Sequence, residues 1–197
     1  DGPFSASCLE WYDHYDSSHP MNQLTTVLLS VSVASSACAG PVAVNGSADN
    51  PRVPAVRLAS APNIDGDVGE AEWADAPIVT EFRRNLEPAR LKTTVRAACD
   101  GDTMYFAFVC EDPNPAGIVA NQKRRNGNLF SDDNVAVGID PRADKQQAWW
   151  FRVNPRGTQN EDIPGGAAAK VEWRGDWKAA ARITETGWSA EFAIPFE

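Results

Sequence analysis

No stretch of this chain sustains the 3.6-residue apolar repeat of an amphipathic helix. From Thr93 onward, short alternating runs follow one another between turn residues instead. Residues 93–99 and 104–110 flank Asp100, Gly101, Asp102 and Thr103, a hairpin signature. Residues 134–140 alternate with Val135, Val137 and Ile139 on one face, and residues 149–154 alternate likewise before Pro155, Arg156 and Gly157. Residues 177–184 and 188–194 flank Glu185, Thr186 and Gly187, a second hairpin. The one helical candidate, residues 69–76, is a turn or two ended by Pro77. Such runs bury their apolar faces by stacking sheet on sheet. The expected fold is therefore all-β, an antiparallel β-sandwich of jelly-roll or immunoglobulin type with one short helix near residues 69–76.

Composition narrows the function. At 197 residues the chain suffices for one domain and a short extra piece. Its 27 acidic against 18 basic residues give a net charge of −9, the wrong sign for a phosphate backbone, so no nucleic-acid partner is expected. The mean hydropathy of −0.38 argues against an integral membrane protein. Both histidines, His14 and His19, lie within the first twenty residues. The remainder of the chain must work without imidazole, which removes Ser-His-Asp and Cys-His catalysis and His-ligated zinc or haem from the globular part.

The N-terminal part reads as a leader. Met21 opens an apolar stretch from Leu24 to Val33, followed by small residues and Ala37, Cys38 and Ala39. This is the pattern of a secretory signal peptide over residues 21–39, although it lacks a Lys or Arg. The apolar core is too short to span a bilayer. Residues 1–20 resemble no targeting signal and are expected to be a non-native leader, translated from upstream of the true start, an ordered extension being the alternative. Residues 40–54, with Gly40, Pro41, Asn45, Gly46, Pro51 and Pro54, form a linker. At the other end the sequence stops at Glu197, just past a strand, so the domain is expected to continue beyond it. A signal peptide places the chain outside the cytoplasm: secreted, periplasmic or associated with an outer membrane.

The first hairpin tests the cysteines. With the turn at residues 100–103, Cys99 faces Met104 and Cys110 faces Thr93. The two sulfurs then stand on the order of 20 Å apart, beyond disulfide reach. Cys99 and Cys110 are expected to be two small buried thiols.

Period two puts Trp149, Phe151 and Val153 on a core face, and Trp150, Arg152 and Asn154 on the other. An indole beside a guanidinium and an amide suits a sugar, whose C–H face stacks on the ring while its hydroxyls need donors and acceptors. If residues 134–140 pair alongside, Asn134, Ala136, Gly138 and Asp140 leave room above the sheet. The competing reading has Trp150 packed under a loop and Arg152 in an ion pair. Carboxylates at Asp65, Asp67, Glu70, Glu72, Asp132, Asp133, Asp140 and Asp162 are the hard ligands that calcium takes, but the spacing is not an EF-hand, and acidic turns are commonly just solvated. Two of them would also serve as a glycosidase acid/base pair, though no spacing marks one. Lys123, Arg124 and Arg125 read as a solvated loop, with contact to an acidic sugar as the sharper alternative.

Taken together, residues 62–73 (PNIDGDVGEAEW), 94–100, 104–105, 133–140 (DNVAVGID), 151–154 (FRVN) and 187–196 (GWSAEFAIPF) resemble the family 9 carbohydrate-binding modules, β-sandwich domains in the same broad group as DOMON-like domains. The resemblance runs from residue 55 to residue 197 and implies a C-terminally truncated member. It implies non-catalytic binding to ends of xylan- or cellulose-type oligosaccharides in polysaccharide breakdown, with a structural calcium ion. Asp65, Asp67 and Asp140 are its candidate ligands. Arg152 and Asn154 fall on the family's ligand-binding Arg and Asn, and Phe130 falls where one stacking Trp would be. Ala136 falls where a Glu would be, and a second stacking aromatic would lie beyond Glu197. With Trp150 from the strand alternation, the expected binding set is Trp150, Arg152, Asn154 and Phe130. A related likeness, carried by Asp112 with Pro113, Asp132 with Asp133, and Asn154, Pro155 and Gly157, is to family-9-like domains that precede an outer-membrane barrel. There the role would be structural docking without sugar affinity, and a part in a glycoside hydrolase is the third alternative. Haem-binding DOMON-like relatives need His or Met ligands. Met104 is the one such residue after the leader, so no haem is expected.

Overall fold

A computed structural model of the chain describes residues 55–80, 82–84, 87–88, 91–140, 148–162 and 174–196, together with two short paired stretches at 5–6 and 31–32. The leader, signal-peptide and linker readings otherwise lie outside the described residues. In chain order the strands are β1 (Ser5–Ala6), β2 (Val31–Ser32), β3 (Val56–Arg57), β4 (Ile78–Val79), β5 (Arg83–Arg84), β6 (Glu87–Pro88), β7 (Thr93–Cys99), β8 (Thr103–Glu111), β9 (Val135–Ile139), β10 (Trp149–Val153), β11 (Gln159–Asp162), β12 (Lys178–Thr184) and β13 (Gly187–Pro195). One short helix, α1 (Glu70–Trp73), precedes β4.

The main sheet has the order β12-β13-β8-β7-β3, with β4 also on β7, and the second has the order β11-β10-β9. Pairing is antiparallel except between β3 and β7. The protein is an all-β sandwich of two sheets. Both hairpins form, the first in the register that the sequence predicts and the second with a turn of Glu185 and Thr186 alone, Gly187 opening the next strand. Cys99 pairs with Met104 and Thr93 with Cys110, while Thr184 pairs with Gly187. Asp100 closes the first turn by accepting from the Asp102 and Thr103 amides, each at 2.9 Å. Just after the second turn, at the first residue of β13, Gly187 has φ 145, and a Cβ there would lie 2.0 Å from the Cys110 carbonyl oxygen, so only glycine fits.

Alternation builds the core. Val95, Phe106, Phe108 and Phe192 from the main sheet meet Val135, Val137, Ile139, Phe151 and Val153 from the smaller one. Burying each such side chain contributes about 1.5–3 kcal/mol before chain entropy is subtracted. Trp177, just ahead of β12, stacks on Phe192 at 5.6 Å and meets Phe151 edge-on at 5.2 Å, closing the layer between the sheets.

The outer face of the main sheet is covered as well. Ala98, Ala107 and Ala193 are small enough to admit Trp73, which is fully buried with Val56, Leu58 and Ala76. Glu191, in mid-β13 and fully buried, holds this covering segment. It accepts hydrogen bonds from the Asp65 amide at 3.1 Å, the Gly66 amide at 2.9 Å and the Trp73 indole at 2.9 Å. Ser189 adds a bond to the Gly66 carbonyl at 2.6 Å. Arg96 donates to the carbonyls of Trp73 and Ala76 at 2.7 and 3.0 Å, satisfying the C-terminal end of the short helix. Much of the 62–73 motif is thus a lid over the sheet.

Cys99 departs from expectation. Cys110 is a free buried thiol, with burial pushing its pKa up to about 12. Cys99 is disulfide-bonded, not a free thiol. The hairpin geometry excluded a bond to Cys110 but not to a cysteine elsewhere, and its partner lies outside the described residues.

Candidate functional site

The outer face of the smaller sheet carries the aromatic and cationic side chains that alternation places there. Trp150 lies between Gly138 on β9 and Asp162 on β11, and Arg152 between Ala136 and Asn160. The Arg152 guanidinium carbon stands 5.2 Å from the Trp150 ring centroid and 5.7 Å from that of Phe130, so the cation is flanked by two aromatic faces. It donates one hydrogen bond, to Asn160 Oδ1 at 3.3 Å. Burial lowers the Arg152 pKa, and the Asp162 charge opposes that shift. Phe130 is 62% exposed, a large apolar ring left to solvent beside this cation.

Phe130 is held by a short loop. Asn128 Oδ1 accepts from the Phe130 amide at 2.8 Å. Asn160 Nδ2 donates to Gly127 O at 3.3 Å, tying the loop to the same face. The base of the loop is a buried polar knot in which Asp132 Oδ2 accepts from the Gln122 amide and from Asn154 Nδ2, each at 2.8 Å.

Asn154 differs from its expected place. The strand ends at Val153, and Asn154, fully buried, turns into the knot. Its Nδ2 donates to Gln122 O at 2.9 Å and to Asp132. Its Oδ1 accepts from the Arg156 and Thr158 amides at 3.1 and 2.9 Å. With both ends of the amide engaged, Asn154 positions the loop bearing Phe130 and presents nothing to the open face. The structure therefore brings together Trp150, Arg152 and Phe130 and adds Asn160 and Asp162, which the sequence alone had not assigned to this face. The signal was present: residues 155–157 form a turn after one strand, and pairing back across it sets Asn160 opposite Arg152.

The basic run divides. Arg125 is part-buried and pairs with Glu161 at 3.0 Å while donating to Gly175 O at 2.7 Å. Lys123 and Arg124 are exposed. The calcium set also divides. Asp65 closes its own turn, accepting from the Asp67 amide and from Asn63 Nδ2, and Asp67 pairs with Arg182 at 2.8 Å. Both lie over the main sheet, whereas Asp140 directly follows β9 of the other sheet. The buried side-chain oxygen left without a hydrogen-bond partner among the described residues belongs to Asp132, outside that set. Asp65 and Asp67 thus stand beside one sheet and Asp140 just past the end of a strand of the other.

A family model described as carbohydrate family 9 binding domain-like matches residues 64–197. Comparison with curated proteins gives no match. Among solved structures, a family 9 carbohydrate-binding module from Caldicellulosiruptor kristjanssonii in complex with cellotriose is similar, with TM-score 0.52 and 16% identity over 71% of this chain and 67% of that one. The glucose complex of a family 9 module from the same organism gives TM-score 0.52 and 14% identity over 72% and 69%. A protein from Bacteroides uniformis proposed to bind carbohydrate gives TM-score 0.55 and 12% identity over 72% and 71%. At these identities the likeness shows the fold.

Proposed function

This chain belongs to the carbohydrate family 9 binding domain-like family, and on that footing we propose that it captures the ends of xylan- or cellulose-type oligosaccharides on the outer face of β9-β10-β11. The family and fold are those of non-catalytic binding modules, so no bond is made or broken. The observation that carries the reading is the cluster in which Arg152 lies over the rings of exposed Phe130 and half-buried Trp150. The rings offer apolar faces to sugar C–H groups, and Arg152 and Asn160 offer hydrogen bonds to hydroxyls. The similar modules in complex with cellotriose and glucose support the ligand class. In this reading the domain serves a secreted or outer-membrane protein that acts on polysaccharide, with a barrel or catalytic region further along the full-length chain.

Thermal melts with xylo-, cello- and other oligosaccharides test it. A sugar at about 100 times its dissociation constant adds roughly 2.7 kcal/mol of stability, a shift of several degrees. Trp150→Ala should weaken binding by about 1–3 kcal/mol in calorimetric titration, as for aromatic anchors generally. Unchanged affinity would remove Trp150 from the site. A second reading, docking without sugar affinity, is favoured by the engagement of Asn154 inside the fold. A cooperative melt indifferent to every sugar would select it.

A further inference from the structure

The Arg152 guanidinium has five N–H donors in a rigid fork. Among the described residues it makes the single bond to Asn160 and no ion pair within 4.0 Å. Its cross-strand neighbours are Ala136 and Asn160, neither of them charged. Asp162 is exposed and acts on it across a longer gap. A part-desolvated cation without a carboxylate beside it is an incomplete arrangement, because removing a charge from water is offset by a partner of opposite sign. Flanking rings attract the guanidinium but do not neutralise it.

From this we infer that the sugar end captured on this face carries one carboxylate, as a uronic acid does, and that Arg152 takes it by a two-point contact while Trp150 or Phe130 stacks on the ring. The inference rests on the sugar-binding reading above and names the ligand within it. A single acidic terminus fits better than a polyuronate chain, because the protein's net charge of −9 repels a polyanion. Arg–carboxylate forks are shorter and stronger than bonds to neutral hydroxyls, so the acidic group should dominate selectivity.

The test compares ligands matched except for the acid, using the full chain. These are glucose against glucuronate, and xylotriose against xylobiose carrying one terminal glucuronic acid, titrated by calorimetry at low and moderate salt. The acidic member of a pair should bind about tenfold tighter, roughly 1.4 kcal/mol, and the advantage should shrink with salt. Arg152→Gln should abolish the difference, while Asp162→Asn, at an exposed position, should enlarge it. Equal affinity for both members would overturn the acidic preference and leave sugar binding standing. An acidic preference that survives Arg152→Gln in a protein that melts normally would overturn the role of Arg152. If neither member of either pair binds and the neutral oligosaccharides above also fail, the sugar-binding reading itself falls.

Discussion

Glu191→Ala should destabilise the protein by about 3–5 kcal/mol, read as a lower urea midpoint. The substitution strands the Asp65 and Gly66 amides and the Trp73 indole N–H under a covering layer that excludes water. Glu191→Gln should fall between wild type and alanine, since one amide oxygen replaces two acceptors and its NH2 group confronts a donor. The same residue gives a pH signature. Desolvation holds the Glu191 carboxyl above its ordinary value of 4.5. The bonds from Trp73, Gly66 and Asp65 pull it down, and the Asp65 charge adds to the upward shift. The folded state therefore binds this proton more tightly than the unfolded one. Its contribution to stability is fully present below the unfolded pKa and is lost as pH rises through the folded value. Between those two pH values wild type should lose stability relative to Glu191→Gln. A difference between them that is flat with pH would show that Glu191 does not titrate with a raised pKa.

Glu161→Ala is expected to cost about 3 kcal/mol. Its carboxylate is buried and accepts from Arg125 at 3.1 and 3.3 Å, from Trp177 Nε1 at 3.1 Å and from Asn126 Nδ2 at 3.4 Å. Removal leaves a part-buried guanidinium without its carboxylate, only the Gly175 carbonyl remaining to it, and a buried indole without its acceptor, and it loosens the loop that carries Phe130. Weaker sugar binding should accompany lower stability. The Lys92–Glu111 pair is the control. At 2.9 Å it is as short, but both side chains are at least half exposed, so Glu111→Ala should change stability by less than about 1 kcal/mol. Equal losses for the two variants would refute the assignment of stability to burial.

These two carboxylates also mark where the sequence stops being legible. Strand pairing across a turn depends on neighbours in the chain, so the register at residues 93–110 followed from alternation and turn residues alone, while at residues 178–195 the hairpin was legible but its turn is one residue shorter than the sequence suggested. Glu191 read as one polar position in an alternating strand. Its partners lie 118 to 126 residues away, and nothing local distinguishes it from a solvated glutamate. The candidate face was legible for Trp150 and Arg152, because period two is enforced inside a strand. It failed at Asn154, where the strand had ended and the backbone no longer fixed the direction of the side chain. Asn160 was overlooked because its strand, Gln159–Asp162, contains no apolar residue to betray a period.

The long reach of Glu191 sets an order of events during synthesis. The segment around Gly66 emerges from the ribosome early, but the carboxylate that receives its amide is encoded 125 residues later. At typical elongation rates of about 5–20 residues per second, that segment waits on the order of ten seconds. Until β13 arrives, Trp73 and the apolar residues around it have no finished sheet to cover. Contacts so distant in sequence slow folding through loop closure. This domain assembles late, and its early half is the part most in need of protection while the rest of the chain is being made.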